Sequence, residues 1–161
     1  MTIRLKAEVL KAKALAPYGD LMEASGTPDK VINQGKCIRY HDRALLDFSD
    51  GKAGISIFKG EKETLPIPLQ LVERHPMGSQ AFVPMSADSF LVVVARDENG
   101  IPQDPKAFLT KPGQAINFHR GTWHGVSAPL SEPGLFAVID RIGEGTNLEE
   151  HWFDTDYIIE R

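Results

Sequence analysis

Three observations predict a mainly all-β fold, a barrel or jelly-roll with short helical segments. Glycine and proline together supply 25 of 161 residues, about 16% against a usual share of roughly 12%, so the chain turns often. Between the turn residues lie runs of strand length, four to eight residues, several alternating apolar and polar side chains. No long apolar pattern of 3.6-residue period is present, so a helical bundle is excluded. Frequent turns between short strands are the pattern of sandwiches and barrels.

Taken in order, Ile3 to Ala7 (IRLKA) alternates and reads as a first strand. Ala12 to Tyr18 reads as a short helical turn, stopped by Pro17 and Gly19. Ser25 to Lys30 (SGTPDK) is a turn or loop. Strand character follows within Cys37 to Phe48, around Arg39, Tyr40 and His41. Ala53 to Lys59 alternates, with Ile55 and Ile57 on one face and Ser56 and Phe58 on the other. Leu69 to Arg74, Gln80 to Pro84, Phe90 to Ala95, Ala107 to Thr110, Ala115 to Phe118 and Leu135 to Arg141 complete the strands. Leu148 to Phe153 fits either a short helix or an edge strand. There is no internal repeat, low-complexity tract or linker, so one domain over residues 1–161 is expected. Closing eight or more strands into a barrel removes sheet edges and leaves a mouth suited to a small ligand.

Composition narrows the function. The formal net charge is -4, with no basic block, which argues against nucleic acid and anionic membranes as partners. Cys37 is the single cysteine, so neither an internal disulfide nor a thiolate zinc cluster is available. The first residues, MTIRLKAEVLKAKAL, carry charges every few positions and lack the apolar core of a signal peptide. No apolar run approaches the roughly 20 residues that span a bilayer. A reduced, cytoplasmic location is expected.

Two segments are too polar for their apolar surroundings. In Glu73-Arg74-His75-Pro76-Met77-Gly78-Ser79-Gln80, the alternation of a strand puts Glu73 and His75 on one face and Arg74 on the other. Gln80 opens the return strand. The second segment is Asn117-Phe118-His119-Arg120-Gly121-Thr122-Trp123-His124, built around a glycine. Cupin barrels carry His-x-His-x(3,4)-Glu and then Pro-x-Gly-x(2)-His, and these residues bind a divalent metal in the barrel mouth. Here Glu73, His75 and Gln80 keep the first spacing, with Glu for the first His and Gln for the Glu. His119, Gly121 and His124 keep the second, with His119 in place of Pro. The glycine that closes the first motif is Ala87. The chain thus resembles a cupin with substituted ligands.

A closer resemblance is carried by ERHPMGSQAFVPM (73–85), FLVVVA (90–95), INFHRGTWH (116–124) and VIDR (138–141). YGD (18–20), RYHD (39–42) and ISIFKG (55–60) add to it. In this order, from Tyr18 to Arg141, these strings resemble the ureidoglycolate lyase family. One departure falls at the rim of the site, where Gly125-Val126 follow His124 and relatives often have His or Pro. The resemblance implies a carbon–nitrogen lyase that splits (S)-ureidoglycolate to glyoxylate and urea in allantoin breakdown. It also implies a homodimer and a divalent metal of the nickel kind.

That reaction needs a base for the hydroxyl proton, an acid for the departing urea nitrogen and a cation for the carboxylate. Glu73, His75, His119 and His124 are the candidate proton carriers. Lys59, Arg74, Gln80, Arg120 and Trp123 are candidate substrate contacts, and Glu73, His75, Gln80 and His124 a candidate metal set. Such a mixed nitrogen and oxygen set suits first-row divalent ions without choosing among them.

Each residue also has a plain structural reading. His75 and His124 fit partly buried histidines satisfied by backbone carbonyls, and His119 a rim histidine. Arg74 fits a surface or dimer contact, Lys59 a solvated strand end and Trp123 a wall. Cys37 fits inert packing, and Asp140-Arg141 a structural ion pair. Two other functions compete with the lyase. One is a different cupin enzyme acting on a small acid, such as an oxygenase or isomerase. The other is a non-catalytic sensor that binds glyoxylate or a ureido acid.

Overall fold

The computed structural model describes residues 1–126 and 128–161. Its elements are β1 (Thr2–Lys6), β2 (Glu8–Val9), α1 (Ala12–Leu15), β3 (Gly19–Met22), β4 (Lys30–Ile32), β5 (Cys37–Arg39), β6 (Lys52–Lys59) and β7 (Ile67–Arg74). They continue with β8 (Gln80–Pro84), β9 (Phe90–Glu98), β10 (Ile101–Leu109), β11 (Ala115–Phe118), β12 (Trp123–His124), β13 (Ala128–Pro129), β14 (Leu135–Ile142) and β15 (Glu149–Glu160). The fold is nearly all β, as expected, and α1 is its short helix.

The strands form two main sheets. The large one runs β1-β15-β7-β12-β9-β10-β2, with β13 also on β9; the small one runs β3-β11-β8-β14-β6. β4 and β5 make a separate hairpin. The two main sheets pack face to face over Phe82, Phe90, Val92, Val94, Ile116, Phe118, Phe136 and Val138, with Leu10 and Leu15 closing one end. Phe82 stands at the centre of this layer, edge-on to Phe58, Phe118 and Phe136 at 5.9, 6.0 and 6.1 Å. That geometry is the one aromatic quadrupoles prefer.

The large sheet is buried on both faces, which explains the unbroken apolar run from Phe90 to Ala95. Its second face carries Leu91, Val93, Ala95, Ala107, Trp123 and Ile159. The sheet curls until β1 packs against β10, enclosing that face in a nearly closed, cupin-like barrel.

Several elements differ from the pattern the sequence predicts. β9 and β10 are longer than the apolar runs within them, because Asn99 (φ 54°) and Gly100 (φ 85°) form a two-residue hairpin turn. Such turns match strand twist and extend pairing to Glu98 and Ile101. Pro105 is tolerated because a register shift between Gln103 and Lys106 interrupts the ladder.

The C-terminal segment is a strand, and it lies inside the sheet between β1 and β7 rather than at an edge. Its pairing with β7 shifts register between Trp152 and Tyr157. Within Cys37 to Phe48 only Cys37–Arg39 is strand, paired with β4. Asp140 and Arg141 make no ion pair with each other. Neighbours in a strand face opposite sides, and Arg141 Nη2 reaches Asp50 Oδ1 at 2.6 Å.

A candidate metal and proton-transfer centre

The site is assembled from both sheets. Glu73 ends β7 and pairs directly with His124 of β12 in the antiparallel register, so their side chains emerge side by side. His75 follows β7 immediately. The segment Pro76 to Ser79 then crosses from the large sheet to the small one, where Gln80 opens β8 between Phe118 of β11 and Asp140 of β14. Two glycines permit this crossing. A Cβ on Gly78 would lie 2.9 Å from Arg141 Cβ and 3.0 Å from the Asp47 carbonyl oxygen, too close for any other residue. Gly121 adopts a left-handed φ of 77°, which glycine alone accepts without cost. Its N–H donates to the His75 carbonyl at 3.0 Å, tying the second polar segment to the first.

Ligand atoms of Glu73, His75 and His124 lie within 4.8 Å of one another. Hydrogen bonding sets which ring nitrogens face this centre. His75 Nδ1 lies 2.8 Å from the Asn147 carbonyl and His124 Nδ1 lies 3.1 Å from the Gly125 carbonyl. A carbonyl only accepts, so each Nδ1 carries a proton and donates, and in that tautomer each Nε2 presents a lone pair.

His124 Nε2 is buried and has no hydrogen-bond partner among the described residues. His75 Nε2 lies 3.1 Å from Gln80 Oε1 and 3.8 Å from Glu73 Oε1. Both are oxygen acceptors, and the Gln80 oxygen is committed because Gln80 Nε2 donates to Asp140 Oδ2 at 3.2 Å. Four lone-pair atoms therefore converge with no donor among them, an arrangement that calls for a cation. The residues fit a divalent ion: two imidazoles oriented by backbone carbonyls, a carboxylate and an amide oxygen.

Electrostatics follow from burial. Burial pushes the Glu73 carboxyl above its usual range, and Glu150 adds to this while His75 opposes it. Burial, helped by the nearby His75, pushes His124 down to about 3, with the Gly125 carbonyl pulling weakly the other way. His124 is thus a neutral imidazole near neutral pH. Phe118 stacks flat on it, ring centroids 4.2 Å apart and planes 6° from parallel, holding the ring in one orientation.

Beside the centre opens a cavity of about 230 Å³ lined by Phe58, Lys59, Gly60, Glu73, Phe82, Val126 and Phe136. Lys59 and Glu73 thus line one space. A larger hollow of about 480 Å³, bordered by residues such as Lys62, Leu65 and Leu130, holds none of Glu73, His75, Gln80 and His124.

The remaining residues singled out from the sequence lie elsewhere. Arg74 stacks over Trp123, its guanidinium carbon 4.4 Å from the ring centroid, and pairs with Asp97 at 2.9 Å and Glu149 at 2.6 Å. Trp123 also donates to Asp97. By strand alternation both face away from Glu73, His75 and His124.

His119 Nε2 lies 2.9 Å from Asp20 Oδ1. Burial pushes the Asp20 carboxyl up, but hydrogen bonds from Asn117, Leu45 and His119 together hold it below its usual range. Arg120 donates to the Pro76 carbonyl at 2.7 Å and to Ser49 Oγ at 2.8 Å, clamping the crossing segment. Asn147, Asp140 and Phe118 also shape the centre; the sequence does not single out Asn147, and it marks Asp140 and Phe118 without these roles. Each acts through a backbone carbonyl, a cross-strand partner or a stacked face that only the fold supplies.

Fold and site together define a class: a cupin-like barrel whose mouth gathers imidazole, carboxylate and amide donors beside a small cavity. Comparison with known proteins names the member of that class. The family model described as ureidoglycolate lyase matches residues 2–160. Ureidoglycolate lyase of Rhodobacter capsulatus is 52% identical over 158 residues, 98% of each chain. Ureidoglycolate lyase 2 of Rhizobium meliloti is 48% identical over 160 residues, again 98% of each. Ureidoglycolate lyase of a Chelativorans species is 46% identical over 158 residues, 97% of this chain and 96% of its own. This chain belongs to the ureidoglycolate lyase family, and is an enzyme of the lyase class. No helix among the described residues is long and apolar enough to cross a membrane.

Proposed function

We propose that this chain cleaves ureidoglycolate to glyoxylate and urea, as a step of allantoin breakdown, in the cavity beside Glu73, His75, Gln80 and His124. The observation that carries the reading is the convergence of proton-carrying and cation-seeking groups beside a small cavity, in a chain matched end to end by this family.

The reacting carbon of the substrate bears a hydroxyl, a carboxylate and the ureido nitrogen. The hydroxyl loses its proton as its oxygen becomes the aldehyde carbonyl. The carbon–nitrogen bond breaks with its electron pair going to nitrogen, and that nitrogen gains one proton. The count balances with a single proton passed from oxygen to nitrogen. Glu73, whose raised affinity for protons suits this relay, takes the hydroxyl proton and returns it to the leaving nitrogen. His75 stands beside it, with Nε2 turned toward the Glu73 carboxylate. Lys59 at the cavity wall holds the substrate carboxylate, and the phenylalanine walls thin the water around it.

Glu73, His75, Gln80 and His124 would hold a divalent metal, nickel being the ion the family resemblance implies. Bound there, it supplies Lewis-acid polarisation of a substrate oxygen. His119 with Asp20, and Arg120 with Ser49 and Pro76, brace the segments that carry His75 and His124.

The deciding experiment supplies ureidoglycolate and measures both products. Stoichiometric urea and glyoxylate support the lyase; binding without turnover would make the protein a sensor instead. For the substrate carboxylate, Lys59→Ala is expected to lower kcat/KM by about ten- to a hundredfold, the worth of a charge-assisted hydrogen bond. Arg120→Ala, acting only through the crossing segment, is expected to lower it less. Normal kcat/KM in Lys59→Ala removes Lys59 from that role.

We also propose a homodimer in a cytoplasmic setting. The outer face of the small sheet supports it, with Ile55, Ile57 and Met85 being 75%, 58% and 56% exposed. Contiguous apolar surface of this kind marks association sites. Light scattering is expected to give twice the chain mass, and an Ile55→Lys/Ile57→Lys variant the single mass. A parent that runs at the single mass refutes the dimer.

A further inference from the structure

We infer that Asp140 is a positioning residue that decides which end of the Gln80 side chain faces the centre, and so gives the site its affinity for a cation. The inference rests on the proposed centre, but not on the identity of the substrate.

A glutamine amide has two nearly isosteric ends of opposite character, an oxygen that accepts and a nitrogen that donates. Gln80 is 5% exposed, so water does not choose between them. One end must face His75 Nε2 and the other must face Asp140. These two neighbours are set by the backbone, since Gln80 and Asp140 are direct cross-strand partners in the β8–β14 register.

With the amide as it stands, Gln80 Nε2 donates to Asp140 Oδ2 at 3.2 Å, and Oε1 lies 3.1 Å from His75 Nε2. In the flipped orientation the amide oxygen would face the Asp140 carboxylate, acceptor against acceptor. Its NH2 group would instead donate to the His75 lone pair. The flip would therefore satisfy His75 and extinguish two lone pairs of the centre at once. Only the carboxylate of Asp140, an acceptor with no proton to give, forbids it. The acceptor-rich centre, including the unpartnered His124 Nε2, depends on this one contact behind it. Partners that orient a ligand from behind typically govern metal affinity by ten- to a hundredfold.

The Asp140→Asn substitution keeps shape while allowing the amide to accept the flipped glutamine. Two readouts apply to the chain prepared free of metal. In nitrogen–proton NMR, the Gln80 side-chain amide, identified by its loss in Gln80→Glu, is expected to shift in Asp140→Asn as its carboxylate partner disappears. In calorimetric titration with Ni²⁺ alone, Asp140→Asn is expected to bind about ten- to a hundredfold more weakly than the parent. The double variant Asp140→Asn/Gln80→Glu is expected to recover most of that affinity, because a carboxylate presents oxygen whichever way it turns.

Asp140→Ser, which removes the carboxylate with less volume, is expected to weaken Ni²⁺ to the same degree and serves if Asp140→Asn does not fold. An affinity within twofold of the parent in these single variants, or a double variant that binds no better than Asp140→Asn, overturns the inference. If the parent itself takes up no Ni²⁺, the metal reading fails. The NMR readout then decides alone, and an unmoved Gln80 amide in Asp140→Asn overturns the role of Asp140.

Discussion

Glu73→Gln is expected to lower kcat for ureidoglycolate cleavage by roughly 10²- to 10⁴-fold, the usual worth of a positioned proton carrier. The substitution keeps the volume and the polar contact but removes the proton relay. It is expected to leave the fold intact, and even to raise stability slightly near neutral pH. Burial makes the charged form of Glu73 costly. A neutral amide escapes that cost, the familiar exchange of stability for function at an active site. The measurement is glyoxylate release alongside a melting curve. A kcat within a few-fold of the parent would show that Glu73 does not carry the proton.

The second large effect is on acid stability, through His124. Its folded-state pKa is about 3 against an ordinary 6.5. Between those values the unfolded chain binds a proton at this residue and the folded chain does not. Stability contributed by the neutral buried ring is therefore fully present above pH 6.5 and is lost as pH falls toward 3. The slope approaches about 1.4 kcal/mol per pH unit and the full loss is roughly 5 kcal/mol, a large part of the stability of an ordinary domain.

Asp20, Asp29 and Asp50 are also held below 3.8, so their contribution is lost only at still lower pH. Glu73, held above 4.5, takes up its proton first in the folded chain and offsets part of the loss between pH 6.5 and 4.5, so the histidine is isolated by comparing parent and variant in that window. His124→Phe, which preserves the stack on Phe118, is expected to flatten the curve there. Urea unfolding of the metal-free chain across this range reads the effect. Parallel curves for parent and variant would mean that His124 is not held neutral by burial. Bound metal would steepen the parent's acid loss further, because a proton competes for the same Nε2.

Much of this site was legible in the residues. The two-residue spacing of Glu73 and His75 placed them on one face whatever sheet they joined, because strand alternation is local. The spacing from His119 through Gly121 to His124 marked a turn that brings a histidine back, and Gly121 does adopt the left-handed conformation such a turn needs. Strand positions at Gln80–Pro84 and Ala115–Phe118 were likewise readable from short apolar runs between turn residues.

Other features had no local signature. Arg74 and Trp123 lie beside the polar motifs in the chain but stack together on the far face of the large sheet. Asn147 serves His75 through a backbone carbonyl, which every residue possesses. The C-terminal segment gave no sign of its place inside the sheet, because its neighbours β1 and β7 are distant in the chain.

By itself the sequence determined the all-β character, the family and the residue types gathered for chemistry, since turn propensity, alternation and short-range spacing act over a few residues. The tertiary structure alone decided which of those residues meet. The crossing from β7 to β8 carries His75 and Gln80 to opposite sheets, and the β7–β12 register sets Glu73 beside His124. The curl of the large sheet buries Trp123 on its second face. Contacts between strands distant in sequence are set by register and sheet packing, which minimise exposed apolar area over the whole chain. The four groups converge on one centre only when that larger problem has been solved.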